Sequence, residues 1–123
     1  WVNPAAVQSD QETATSNLVF VTPGTQQFHP SASKCWITFT TVTTTAINGS
    51  YNITSLTDNG VGDTTVTIAT DFSSTNYCAL CSSNAAYTVL STKAVGTIQV
   101  LTTNFALAAA DYDDVNFCGF GDQ

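Results

Sequence analysis

Cys78-Ala-Leu-Cys81 comes closest, by residue type and spacing, to a reactive or metal-holding pair, and Cys35 and Cys118 complete a set of four thiols. A structural zinc needs four soft donors, which two Cys-x-x-Cys pairs would supply; here one pair stands with two isolated cysteines. On a strand, residues three apart point to opposite faces, so Cys78 and Cys81 would not close on one ion. Three readings stay open for the thiols. They are free side chains filling the core, one or more disulfides among three connectivities, or a metal or redox site, for which the spacing argues least.

His29, the single imidazole, lies in Phe28-His-Pro-Ser31. A hydrolytic triad would need a nucleophile in a setting such as Gly-x-Ser-x-Gly, which is absent, so His29 reads as fixing a turn by hydrogen bonds. Carboxylates gather twice, Asp58 with Asp63, and Asp111 with Asp113 and Asp114. Paired carboxylates are the equipment for cleaving glycosides, yet both clusters fall in turn-forming stretches where Asp serves the local backbone. Asp58-Asn-Gly-Val-Gly-Asp63 also lacks the alternating oxygen ligands and distal Glu of a calcium loop. Asn48-Gly-Ser50 and Asn52-Ile-Thr54 fit the glycan-acceptor pattern. Trp1, Trp36, Tyr51, Tyr77, Tyr87 and Tyr112 carry rings suited to stacking on sugars, although alternating positions on strands assign most of them to the core or to subunit contacts. No catalytic, cofactor-binding or metal-binding set emerges, and no cofactor is implied.

Strands must hold these groups. Thr (22) and Ser (11) make up about a quarter of the 123 residues, and the Thr residues interleave with Val, Ile, Leu and Phe, a composition that favours strand over helix. Residues Lys34 to Thr45 alternate, with Cys35, Ile37 and Phe39 on one side and Trp36, Thr38, Thr40 and Val42 on the other. Asn48-Gly49 reads as punctuation. A hairpin is expected to join 51–57 to 64–70 through the turn cluster Asp58 to Asp63. Further strands are expected at 76–82, 86–91, 95–102 and 113–120, and 104–110 has the composition for one helical turn. Thr22-Pro-Gly-Thr25 favours a type II turn after the apolar run Leu18 to Val21. Residues 1–20 read as an extended N-terminal arm or connector. Residues 21–123 read as an all-β domain, an antiparallel β-sandwich, jelly-roll-like, of about eight short strands.

Charge excludes several classes. Two lysines, no arginine and a formal charge of -7 cannot supply the phosphate contacts on which nucleic-acid binding depends. The longest apolar runs, Leu18 to Val21 and Ala106 to Ala110, fall far short of the roughly 20 residues that cross a bilayer, so membrane insertion is not expected. No basic segment followed by an apolar run reads as a signal peptide, and the absence of an initial Met implies processing or trimming.

The run Gln26-Gln-Phe-His-Pro-Ser-Ala-Ser-Lys-Cys-Trp36, then Gly49-Ser-Tyr-Asn-Ile-Thr-Ser-Leu-Thr-Asp-Asn-Gly-Val-Gly-Asp63, then Val66-Thr-Ile-Ala-Thr-Asp-Phe-Ser-Ser-Thr-Asn-Tyr77, resembles a module of tailed-bacteriophage and prophage structural proteins, the distal module of tail fibres. Gly119-Phe-Gly-Asp-Gln123 extends the resemblance to the end, and Glu12-Thr-Ala-Thr-Ser16 with Val21-Thr-Pro-Gly24 is similar to the connector that precedes such modules. The resemblance implies a virion component, oligomeric as a homotrimer in contact with other virion proteins, and it brings no catalytic residue. Cys35, Cys78 and Cys81 depart from the pattern, as does the short length, with neither a long shaft nor an attachment domain. The first reading is therefore a non-enzymatic tail-fibre or receptor-binding module. It would meet a host-surface glycan or protein through loops that include 46–50, 58–63 and 82–86. The alternative is a capsid decoration, cement or head-fibre protein with no receptor role, its arm ordered on a neighbour. A weaker alternative is a glycan depolymerase working through Asp58 and Asp63.

Overall fold

The computed structural model describes residues 4–123. The strands are β1 (Cys35–Thr40), β2 (Ala46–Tyr51), β3 (Ile53–Gly60), β4 (Asp63–Ile68), β5 (Cys78–Ser83), β6 (Tyr87–Lys93), β7 (Thr97–Thr103) and β8 (Val115–Phe120), and β1, β4 and β7 show the clearest alternation of apolar residues with Thr. Among the described residues these eight strands build two four-stranded sheets, ordered β2-β1-β8-β5 and β3-β4-β7-β6. Every pairing within them is antiparallel. The expected all-β antiparallel sandwich is the observed architecture.

Alternation decides what is buried. Cys35, Ile37 and Phe39 of β1 point inward with Val115 and Phe117 of β8, and they meet Val66 and Ile68 of β4 and Ile98 and Val100 of β7 in one core cluster. Each such side chain withdrawn from water contributes on the order of 1.5–3 kcal/mol, offsetting the entropy of ordering the strands. Phe72 and Tyr77 stack at a ring-centroid distance of 3.9 Å and belong to the same cluster. Lys93 donates to the Tyr77 carbonyl at 2.8 Å, and its ammonium lies 4.8 Å from the centre of the Tyr77 ring.

The hairpin expected between 51–57 and 64–70 is present as β3 and β4, paired from Ile53 opposite Ile68 to Gly60 opposite Asp63 with register shifts after Ile53 and after Asp58, and with Val61-Gly62 as the turn. Three local expectations are corrected. Asn48-Gly49 lies inside β2 and does not end a strand, so 46–50 is not a loop. Gly49 sits opposite Thr38, with the ring of Trp36 lying close above it, and a bulge between Thr38 and Phe39 absorbs the irregularity. The chain turns earlier instead, at 41–45, with Thr43 at φ 67°. Residues 104–110 wind no helix: the Asn104 carboxamide accepts from the backbone N–H groups of Ala106 and Ala108, which holds a tight turn with Leu107 at φ 61°. Thr25 N–H does close on the Thr22 carbonyl at 3.0 Å, but Gly24 is not among the positive-φ residues that a type II turn requires, and the chain runs on into a 3-10 turn at Gln26–Phe28.

Within the expected arm, Gln8–Thr13 forms a short helix, α1, and Ala5 bridges to Phe20. Ala6 and Gln11 are buried, and the Gln11 side-chain amide donates to the Thr25 carbonyl. Gln8 reaches Asp122 near the C-terminus at 3.4 Å. Among the described residues no helix is long and apolar enough to cross a membrane.

Candidate functional site

The strands run between two poles of different character. One pole gathers α1, the 69–77 connection and the C-terminal residues, joined by Gln8 to Asp122 and by Ser73 N–H to the Asp122 carbonyl at 2.8 Å. The other gathers four loops: 41–45, 61–62, 84–86 and 104–114. Thr41 and Tyr112 exchange three hydrogen bonds of 2.9–3.1 Å, tying the first loop to the last. Gly62 N–H donates to the Asp111 carboxylate at 2.8 Å, and the Gly62 carbonyl accepts from Thr102 N–H at 2.9 Å. Asn84 donates its backbone N–H to the Asp114 carbonyl and its amide to the Asp113 carboxylate at 2.6 Å.

This network accounts for the acidic clusters. Asp58 accepts from the Thr45 hydroxyl and the Gly60 N–H, both at 2.9 Å, and Asp114 accepts from the Asn116 amide at 3.0 Å. Asp63 accepts from Asn59 at 3.0 Å and from Gln99 at 2.8 Å. Asp58 pairs with the buried Thr64, the neighbour of Asp63, so the two carboxylates lie on opposite faces of the hairpin and share no gap for a glycosidic bond. The carboxylates act as acceptors that pin turns.

The other chemistry-bearing residues are dispersed. Among the described residues no three His, Cys, Asp or Glu side chains approach closely enough to hold a metal ion. All four thiols are free. Cys78 points outward from β5 and Cys81 inward, as the strand period requires. His29 accepts from the Ser31 N–H at 3.2 Å and lies 2.6 Å from the Ser31 hydroxyl, both at Nδ1, which fixes the local turn. Of the glycan-acceptor asparagines, Asn48 is exposed, whereas the Asn52 amide bonds to the Lys34 and Thr70 carbonyls and to Gln123 where the chain leaves β2 for β3. Tyr77 is buried and Tyr112 half-buried, whereas Trp36, Tyr51 and Tyr87 are exposed on the chain. Trp1 lies outside the described residues.

Burial pushes the Cys35 thiol up to about 12, with Cys118 adding to the rise, and lifts Tyr77 to about 12 and Cys81 above its ordinary range. Each of these acids holds its proton more tightly folded than unfolded, so its contribution to stability is complete below the unfolded pKa and is lost as pH climbs through the folded one. Burial lowers Lys34, which works in the opposite sense because deprotonation there removes a penalty. Urea titrations are expected to find stability falling from about pH 9 upward, with a flatter profile for Cys35→Ala. Equal alkaline slopes for the two proteins would contradict a protected thiol at this position.

The loop pole also carries side chains that sequence reasoning missed. Phe105 is 87% exposed, Leu107 71% and Val61 62%, on two of the four pinned loops. Phe105 and Leu107 were hidden in an Ala-rich stretch that resembles a helical turn, and nothing in the local sequence marks them as projecting. Large apolar groups on hydrogen-bonded loops form a preorganised contact surface, since little ordering entropy remains to be lost on binding. No family model, curated protein or solved structure matches the chain.

Proposed function

We propose that this chain is a non-catalytic bacteriophage virion protein, a tail-fibre or receptor-binding module that assembles as a homotrimer and meets the host surface through its loop pole. The observation that carries the reading is the division of labour between the poles. The residues that join α1 to the C-terminus lie at one pole, while Val61, Phe105 and Leu107 project at the other on loops held by Asp58, Asp111 and Asp113. A module attached at the first pole presents the second outward. The virion assignment rests on the resemblance of residues 26–77 and 119–123 to tail-fibre modules. Of the loops assigned from sequence, 58–63 narrows to the turn 61–62 and 82–86 to 84–86, the flanking residues being strand; 41–45 and 104–114 join them, and 46–50 drops out. Two of the three tips, Val61 and Leu107, are aliphatic, with neither a hydrogen-bonding group nor a ring to stack on a sugar, which favours a protein patch on the host surface.

Immunogold electron microscopy of tailed particles, with antibody raised against the chain, is expected to label tail appendages. Label spread over the head lattice would favour the decoration reading, and absence of the chain from purified particles would end the virion assignment. On the recognition side, added chain is expected to compete with particle adsorption. The double variant Phe105→Ser, Leu107→Ser should compete at least about tenfold less well, in keeping with apolar anchors that dominate a contact.

A further inference from the structure

We infer that the outer face of the β2-β1-β8-β5 sheet is the surface through which copies of this chain pack against each other. No Asp, Glu, Lys or Arg occurs in any of its four strands, in a chain of formal charge -7, whereas the other sheet carries Asp58, Asp63 and Lys93. Two copies bearing the same net charge repel, and the strands of this face bring no charge to be desolvated or opposed; Asp114, held by the Asn116 amide at 3.0 Å, borders it at the loop end.

The relief of the face suits a second copy. Trp36 of β1 and Leu80 of β5 both pair across to Cys118 of β8, and Thr38 and Ser82 both pair to Asn116. Cys118 therefore lies low between Trp36 and Leu80, in a groove of about 460 Å³ that Thr38, Ser82 and Asn116 continue along the strand. Trp36 is 43% exposed and Leu80 57%. Ridge and groove are different patches of one face, so the ridge of one copy entering the groove of the next is a heterologous contact, the kind that closes three copies into a ring. Tyr51, directly opposite Trp36 on β2, extends the aromatic strip toward the sheet edge. Such rings are enriched where subunits meet.

The inference specifies the contact for the proposed homo-oligomer and stands whether or not the chain belongs to a virion. Sedimentation velocity on the full chain is the test, with Leu80→Glu placing a charge in the face and Val89→Glu placing one on the outer face of the other sheet. Both side chains are largely exposed, so both variants are expected to melt cooperatively like the parent. The parent and Val89→Glu should assemble, while Leu80→Glu should dissociate on the order of 100-fold more readily, as expected for a charge buried without a partner. Maleimide labelling of Cys78, exposed on the same face, gives a second readout on the unaltered chain: it should slow as assembly proceeds with rising concentration. A parent that stays monomeric, a Leu80→Glu protein that assembles as the parent does, or Cys78 labelling indifferent to concentration would each overturn the assignment. A monomeric parent that binds a neutral polysaccharide through Trp36 would give the face to a glycan. Particle labelling addresses the virion reading separately, so the two can fail independently.

Discussion

Replacing Gly62 by alanine is expected to destabilise the protein by about 2–5 kcal/mol, which for a domain of this size is a large share of the whole. Two independent costs add at this position. Its φ of +67° is left-handed, which costs an L-residue about 1–2 kcal/mol. A Cβ there would also lie 2.4 Å from the Thr102 carbonyl oxygen and 2.7 Å from the Ala110 nitrogen, both backbone atoms that cannot swing aside. Relieving the clash means pulling the β3–β4 turn away from 102–111, which breaks the bonds from Gly62 to Asp111 and from Thr102 to Gly62. Gly24→Ala is the comparison, with nothing within 4 Å and no positive φ, and should stay within about 0.5 kcal/mol of the parent. Urea unfolding of both variants measures the difference; a Gly62→Ala protein as stable as Gly24→Ala would contradict the described junction.

Phe39→Ala is expected to cost about 3–5 kcal/mol, whereas Phe105→Ala should be nearly neutral. Phe39 is fully buried on β1, paired with Val115 on one side and Ile47 on the other, in the layer shared with Ile37 and Phe117. Its loss removes a ring's worth of transfer free energy and leaves a cavity that strands held in two ladders cannot collapse to fill. Phe105 exposes most of its ring on the 104–114 loop, so its truncation removes little buried contact. Equal midpoints in chemical denaturation for the two variants would mean that the core lies elsewhere.

These two phenylalanines mark where the sequence could be read. Phe39 lies in a stretch whose period of two is imposed by a half-buried sheet, and the same signal, with the turn cluster Asp58 to Asp63, gave β1 and the β3–β4 hairpin. β2 lacked it because five of its six residues, Ala46 to Tyr51, are exposed. That strand is held by pairing to β1 at the sheet edge, and an edge strand imprints little hydrophobic pattern on its own residues. The true turn before it, Thr41 to Thr45, contains no Gly, Pro or Asn, so turn chemistry pointed instead to Asn48-Gly49. At the loop pole the Asp positions were legible as turn formers. The partners they hold, Thr45, Gly62 and Asn84, are distant in sequence and become neighbours only when the sheets close. Phe105 carried no local mark of exposure for the same reason.

The opposition of the two ends bears on how the molecule would carry mechanical load. Tension applied between the C-terminal residues and the tips of the loops runs lengthwise along the strands, at right angles to the hydrogen bonds that link them. All rungs of a ladder then resist in shear at once, so a pull from a bound surface is shared across both sheets and does not unzip one pair at a time.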